Sequence, residues 1–251
     1  MDARRGLFSD FALATGVLTR LPVGVEAVEP GAVATAAWAF PLVGVGVGAI
    51  ATSVFLVAAL LGLAAGPAAL LTVFAGIAVT GAFHEDGLAD TADGFGGGRD
   101  REQKLAIMRD SRHGTFGMLA LIASIGLRTA ALATLAAPIA AALALLAAHA
   151  VSRATLPATM RVLAPARPDG LGASAGRPSL PVAITAAAIG ALVALTALGP
   201  SVGLAALLLV TGAVAATAAL AQRQVGGYTG DILGALQQIG EIVMLLVAAA
   251  Q

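Results

Sequence analysis

The sequence predicts an all-α, polytopic membrane protein: a bundle of about seven transmembrane helices with an interfacial helix at its N-terminus. Three observations carry this. Of 251 residues, 59% are hydrophobic and only 11% are charged, against roughly 25% in soluble domains. Apolar stretches near the ~20 residues that span a bilayer recur along the chain. The polar residues collect in a few segments between them, and mean hydropathy is +0.93.

The first segment alternates Phe8, Phe11, Leu18 and Leu21 with Asp10, Thr15, Thr19 and Arg20, which predicts an amphipathic helix at the interface, ended by Pro22. The basic N-terminus before it lacks a small-residue cleavage site and is expected in the mature protein. Spans are expected at about 36–63, 67–83, 117–136, 139–160, 181–198, 201–221 and 231–250. Gly66-Pro67, Pro138 and Gly199-Pro200 mark short turns, so the spans pair as hairpins. The polar segments 1–35, 84–116, 161–180 and 222–230 then share one side. All 14 basic residues except Arg128 and Arg153 fall in those segments. The positive-inside rule puts them in the cytoplasm and, with an odd number of spans, the C-terminus outside. Gly44 and Gly48 form a small-xxx-small pair for packing within or between chains. Oligomeric state is not readable.

Net formal charge is zero, so no global field attracts nucleic acid. Cysteine is absent, which excludes disulfides, iron–sulfur clusters and thiolate catalysis.

Acidic residues are scarce, yet four of the 14 fall between Glu85 and Asp93 with no base among them. Asp86, Asp90 and Asp93 follow i, i+4, i+7 spacing, within about 60° on a helix. Such charges repel unless neutralised. Mg²⁺ suits them as a hard ion that takes oxygen ligands, keeps waters and accepts substrate phosphate. Zinc is disfavoured, because only His84 is nearby; His84, His113 and His149 are too dispersed for a His-based site. Gly87 and the run Gly94-Phe95-Gly96-Gly97-Gly98 either bring backbone amides to phosphate or form a flexible loop.

Asp100 is placed to cap a short helix from Arg101 to Met108. Beyond it, Arg109 and Arg112 are suited either to clamping a diphosphate or to surface ion pairs. Gly226-Gly227-Tyr228-Thr229-Gly230-Asp231 precedes the last span. There Asp231, Gly234, Gln238 and Glu241 form a stripe within about 80° that should face the protein interior. Asp231 is either a site residue or an N-cap. Arg153, inside a span, needs a partner such as Glu241 or Asp231; Arg128 either pairs likewise or snorkels.

With these motifs assembled, the chain closely resembles the cobalamin synthases, the adenosylcobinamide-GDP ribazoletransferases. The resemblance rests on Leu18 to Val23, Phe40 to Gly44, Asp86 to Gly94, Ile107 to Gly114, Val151 to Arg153, and Gly226 to Asp231 with Gly234-Ala235, in family order over nearly the whole chain. It implies one transmembrane catalytic domain, 1–251, in the bacterial inner membrane, with its active site facing the cytoplasm. It implies Mg²⁺-dependent joining of adenosylcobinamide-GDP to α-ribazole or its 5′-phosphate, releasing GMP. The corrinoid nucleotide, the ribazole and the bilayer would be its partners. The resemblance gives Asp86, Asp90, Asp93 and Asp231 to the metal, with Asp93 or Asp110 as base. Arg109 and Arg112 would hold diphosphate. Arg20, Lys104, Ser111, Arg153, Gly226, Gly227, Thr229 and Gly230 would line the substrates. Glu85 and Tyr228 stand where some relatives carry other residues and rank below these. Two rivals are a membrane alcohol phosphotransferase of the CDP-alcohol class and a cation transporter. The first usually carries Arg where Asp90 stands; the second places its carboxylates near the midplane.

Overall fold

A computed structural model describes residues 6–24, 29–110, 112, 114–135 and 137–250. Twelve α-helices and one 3₁₀ turn follow in order among them. They are α1 (Leu7–Leu18), α2 (Ala32–Ala36), α3 (Phe40–Leu60), α4 (Ala65–Thr80), α5 (Phe83–Gly97), α6 (Arg101–Ile107), α7 (Thr115–Thr134), α8 (Pro138–Val162), α9 (Leu171–Ser174), α10 (Leu180–Leu198), α11 (Pro200–Val225) and α12 (Gly230–Ala249). The described residues contain no β-strand, only an isolated bridge between Pro165 and Tyr228.

Six helices are long and apolar enough to cross a membrane on their own: Ala32–Leu60 taken as one, then α7, α8, α10, α11 and α12. A seventh crossing exists only if α4 and α5 count together, and these are bent by 92°. The expected span at 67–83 is therefore one limb of a broken element. Gly81 (φ +65°) and Ala82 (φ +59°) make the break, both in the left-handed region. The side chain of Arg20 packs where a Cβ on Gly81 would lie, and the Arg20 N–H donates to the Val79 carbonyl at 2.8 Å.

Prolines start helices where their missing N–H costs nothing: Pro138 opens α8 and Pro200 opens α11. Gly66-Pro67 departs from expectation, because it lies inside the first turn of α4; the reversal comes earlier, at Gly62 (φ +77°). Helix α1 ends at Leu18, short of Pro22. Its Leu7 and Phe8 are exposed, while Asp10 is buried and accepts a 3.1 Å bond from the Trp38 indole. A helix with apolar groups outward and its acid inward suits a lipid interface.

Helices α8 and α12 are the most enclosed of the spans. α3, α10 and α12 pack against α8, while α5, α7 and α11 pack against α12. Close approach explains several glycines. A Cβ on Gly44 would strike the His149 backbone, and one on Gly48 would lie 3.0 Å from the Leu145 carbonyl oxygen. The small-xxx-small pair thus serves the α3–α8 contact within the chain.

The polar segments meet at one end of the bundle. Arg101 donates to the carbonyls of Val225 (2.8 Å) and Ala166 (2.5 Å). Lys104 bonds the Gln224 amide oxygen. The Tyr228 hydroxyl donates to the Gly172 carbonyl at 3.2 Å, and the Ala34 N–H to that of Ala175 at 2.8 Å.

Candidate active site

The acidic cluster is helical, as its spacing requires, but it is not a loop on the membrane face. Helix α5 enters the bundle between α7 and α12. In its first turn His84 and Glu85 are buried, and Glu85 accepts bonds from Arg128 of α7 (3.0 Å) and Gln238 of α12 (3.1 Å). Its far end reaches the start of α7, where Asp93 is buried. The Asp93 carboxylate accepts the Gly114 N–H at 2.6 Å on one oxygen and the Gly117 N–H at 2.8 Å on the other. It thereby satisfies donors that a helix N-terminus leaves orphaned. A Cβ at Gly114 or Gly117 would collide with it. Asp86 is exposed and Asp90 half-buried.

Asp231 joins this group from α12. A Cβ on Gly87 would press on the Asp231 backbone, and one on Gly234 would lie 3.2 Å from the Gly87 Cα. The helices therefore cross on two glycines, near enough for the Asp86 and Asp231 charges to repel. Thr229, rather than Asp231, is the N-cap: its hydroxyl accepts the Ile232 N–H at 3.2 Å and donates to Asp231 at 3.0 Å. The Arg167 guanidinium stands 3.4 Å from the same carboxylate. Arg167 was not among the site residues expected from sequence. Its only signal was a charged Arg-Pro-Asp run in an apolar chain.

Among the described residues, no three His, Asp or Glu side chains converge as a protein-only metal site. Asp86 and Asp231 bring oxygen donors together where α5 crosses α12, and Asp90 follows one turn further along α5.

The two arginines expected at the diphosphate are each paired with an acid at the surface. Arg109 reaches both oxygens of Asp169, at 2.5 and 2.6 Å. Arg112 binds Asp110 at 2.6 Å, and its guanidinium lowers the Asp110 carboxyl to about 2. Ser111 and His113 lie outside the described residues.

The glycines have structural duties. Gly226 (φ +76°) ends α11 in the left-handed conformation. A Cβ on Gly227 would run into the Ala164 carbonyl. The run Gly94 to Gly97 is helical rather than a flexible loop, and side chains at Gly94 or Gly98 would strike α6. Asp100 caps α6 as expected, accepting the Gln103 N–H at 2.9 Å.

Beneath the acids lies a buried polar network. Arg128 pairs with Glu85 and with Glu241, each at 3.0 Å. His149 Nδ1 lies 3.1 Å from Glu241, and Gln237 donates to Glu241 at 2.6 Å. Arg153, fully buried, meets the His149 ring and carbonyl at 3.2 and 3.1 Å, near enough to Glu241 for their charges to attract. Charges held this way in a bundle core are mutually neutralised.

The sequence profile of the family described as Cobalamin-5-phosphate synthase matches residues 10–249. The chain belongs to this family. Curated relatives named adenosylcobinamide-GDP ribazoletransferase include proteins of Bradyrhizobium diazoefficiens, 53% identical over 98% of this chain and 95% of the relative, and of Mesorhizobium japonicum, 49% identical over 98% and 94%. Another, from Xanthobacter autotrophicus, is 46% identical over 94% of each chain. No solved structure matches significantly. This chain is accordingly a membrane-embedded enzyme of the cobalamin pathway.

Proposed function

We propose that the enzyme joins adenosylcobinamide-GDP to α-ribazole, or to its 5′-phosphate, with release of GMP. The reaction would occur where α5 meets α12, at the cytoplasmic face of the bacterial inner membrane. The observation that carries this is the approach of Asp86 to Asp231 where α5 crosses α12, with the Arg167 guanidinium 3.4 Å from Asp231. The cytoplasmic assignment follows the positive charge of that end.

The donor set fits Mg²⁺. This ion is commonly held by one or two carboxylates, with water and substrate phosphate completing its shell. Asp86 and Asp90 would hold it, with Asp231 opposite. Bound there, it would neutralise charge on the diphosphate. The ribazole hydroxyl oxygen attacks the phosphorus nearer the cobinamide side chain. The bond from that phosphorus to the bridging oxygen breaks, and GMP leaves with the electron pair. The hydroxyl proton passes to a carboxylate of the group. Arg109 and Arg112 can exchange Asp169 and Asp110 for phosphate oxygens, since exposed ion pairs are weak and screened by solvent. Asp93, with both oxygens bonded to backbone, holds the start of α7 against the acidic helix.

Purified protein in liposomes should release GMP when both substrates and Mg²⁺ are present. No GMP under those conditions would overturn the transfer reading. Release unchanged by chelation would remove the metal alone.

A further inference from the structure

A cavity of ≈ 500 Å³ opens among the C-terminal ends of α1 and α8 and the first turns of α3, α5 and α12. That volume suits a small organic ligand. Val17, Leu18, Phe40, Leu156 and Met160 make its walls apolar. Arg20 and Glu29, both exposed, stand at its open end. His84 lines it too, yet is 2% exposed, and its Nε2 has no hydrogen-bond partner. Buried polar atoms without partners are rare and need an explanation. The nearby hydroxyls are already engaged: Thr19 donates to the Thr15 carbonyl at 2.7 Å and Thr80 to that of Gly76 at 3.2 Å.

We propose that this cavity seats the aromatic base of the acceptor nucleoside, with His84 Nε2–H donating to the free ring nitrogen of the benzimidazole. This rests on the transfer reading above. The polarity decides the occupant. A dimethylbenzimidazole whose other nitrogen carries ribose is flat and apolar, with one acceptor left. Apolar walls and one buried unpaired polar atom match it. Guanine would set several donors and acceptors against the apolar inner walls, which disfavours it. A corrin with its amides is far larger than the cavity. Position agrees as well. Gly230 lines the cavity and directly precedes Asp231, and Gly234, one turn further along α12, lines it too. A base seated here would point its ribose toward the start of α12, where Asp231 stands.

The test compares α-ribazole with its indole analogue, in which a ring C–H replaces the free nitrogen, using GMP release in liposomes. Wild type should favour α-ribazole by about 10-fold or more in kcat/KM, as sites built around a hydrogen bond do. His84→Phe should use both acceptors with that preference reduced to about twofold, and His84→Gln should restore part of it. Val17→Trp, which fills the cavity, should raise KM for α-ribazole about 10-fold while KM for adenosylcobinamide-GDP stays within about twofold. Equal use of both acceptors by wild type overturns the proposal. So does full preference in His84→Phe, or a Val17→Trp effect confined to the corrinoid KM. If wild type releases no GMP with either acceptor, the transfer reading fails on its own. Calorimetric binding of α-ribazole to wild type, and its loss in Val17→Trp, then decides for or against the cavity.

Discussion

The Asp93 carboxylate takes two backbone N–H groups from the start of α7, one on each oxygen. Hydrogen bonds to a charged group are worth about 1.5–3 kcal/mol each. Asp93→Asn keeps one acceptor and turns an amide toward the other N–H. It should therefore lower stability by about 2–3 kcal/mol, read as a fall in Tm in detergent. Unchanged Tm with lost activity would instead return Asp93 to the reacting groups. Asp86→Asn and Asp90→Asn should show the opposite pattern. Asp86 is exposed and Asp90 half-buried, so insertion and Tm should hold while GMP release falls about 100-fold or more. Activity near wild type would move the metal elsewhere. The sequence displayed these three acids as equivalent members of one periodic set. Nothing in i, i+4, i+7 spacing says that a neighbouring helix start will occupy the third, because that contact joins residues 21 and 24 positions apart.

Helix α5 works as an element because glycine lets it touch α12. Gly87 meets the Asp231 backbone, and Gly234 meets the His84 backbone, where a Cβ would stand 3.1 Å from the carbonyl oxygen. Gly234→Val should push the helices apart and separate Asp231 from Asp86 while the protein still inserts. Because a misplacement of about 1 Å can cost about 100-fold in rate, GMP release should fall by at least about 10-fold. Near-normal release would show that the crossing distance is not what positions the acids. The helical character of α5 and the Asp100 cap of α6 were legible, being local and periodic. The 92° break before α5 was not. It depends on left-handed backbone at Gly81 and also at Ala82, a residue whose type gives no warning.

Across the whole molecule, the polar segments converge on one end and the short turns lie at the other. The chain contains no cysteine, so single reporters are clean. Glu102→Cys should react with a membrane-impermeant thiol reagent only from the side bearing the active site. Leu61→Cys and Ser201→Cys should react only from the opposite side. Labelling of all three from one side would overturn the topology. The buried network is also a property of the assembled bundle. Arg128 joins α5 to α12 through Glu85 and Glu241, where sequence left it either pairing or snorkelling. Removing a partner from such a buried pair typically costs about 3–5 kcal/mol. Arg128→Met should thus lower Tm far more than Arg112→Gln, which breaks only an exposed pair.

By itself the sequence determined the membrane-spanning helical class, the segregation of charge into four segments, the helical acidic motif and, through motif resemblance, the family. Each is written in composition, period or short ordered motifs, which survive without knowledge of which helices touch. Tertiary structure alone decided that the acidic helix enters the bundle, that Asp93 holds the start of α7, that Arg167 stands by Asp231, and that His84, which lines a cavity, keeps a buried ring nitrogen unpaired. Those facts arise where helices cross. In a chain of alanine, leucine and glycine, many crossings satisfy the bilayer equally well, and only close backbone approach at particular glycines selects among them.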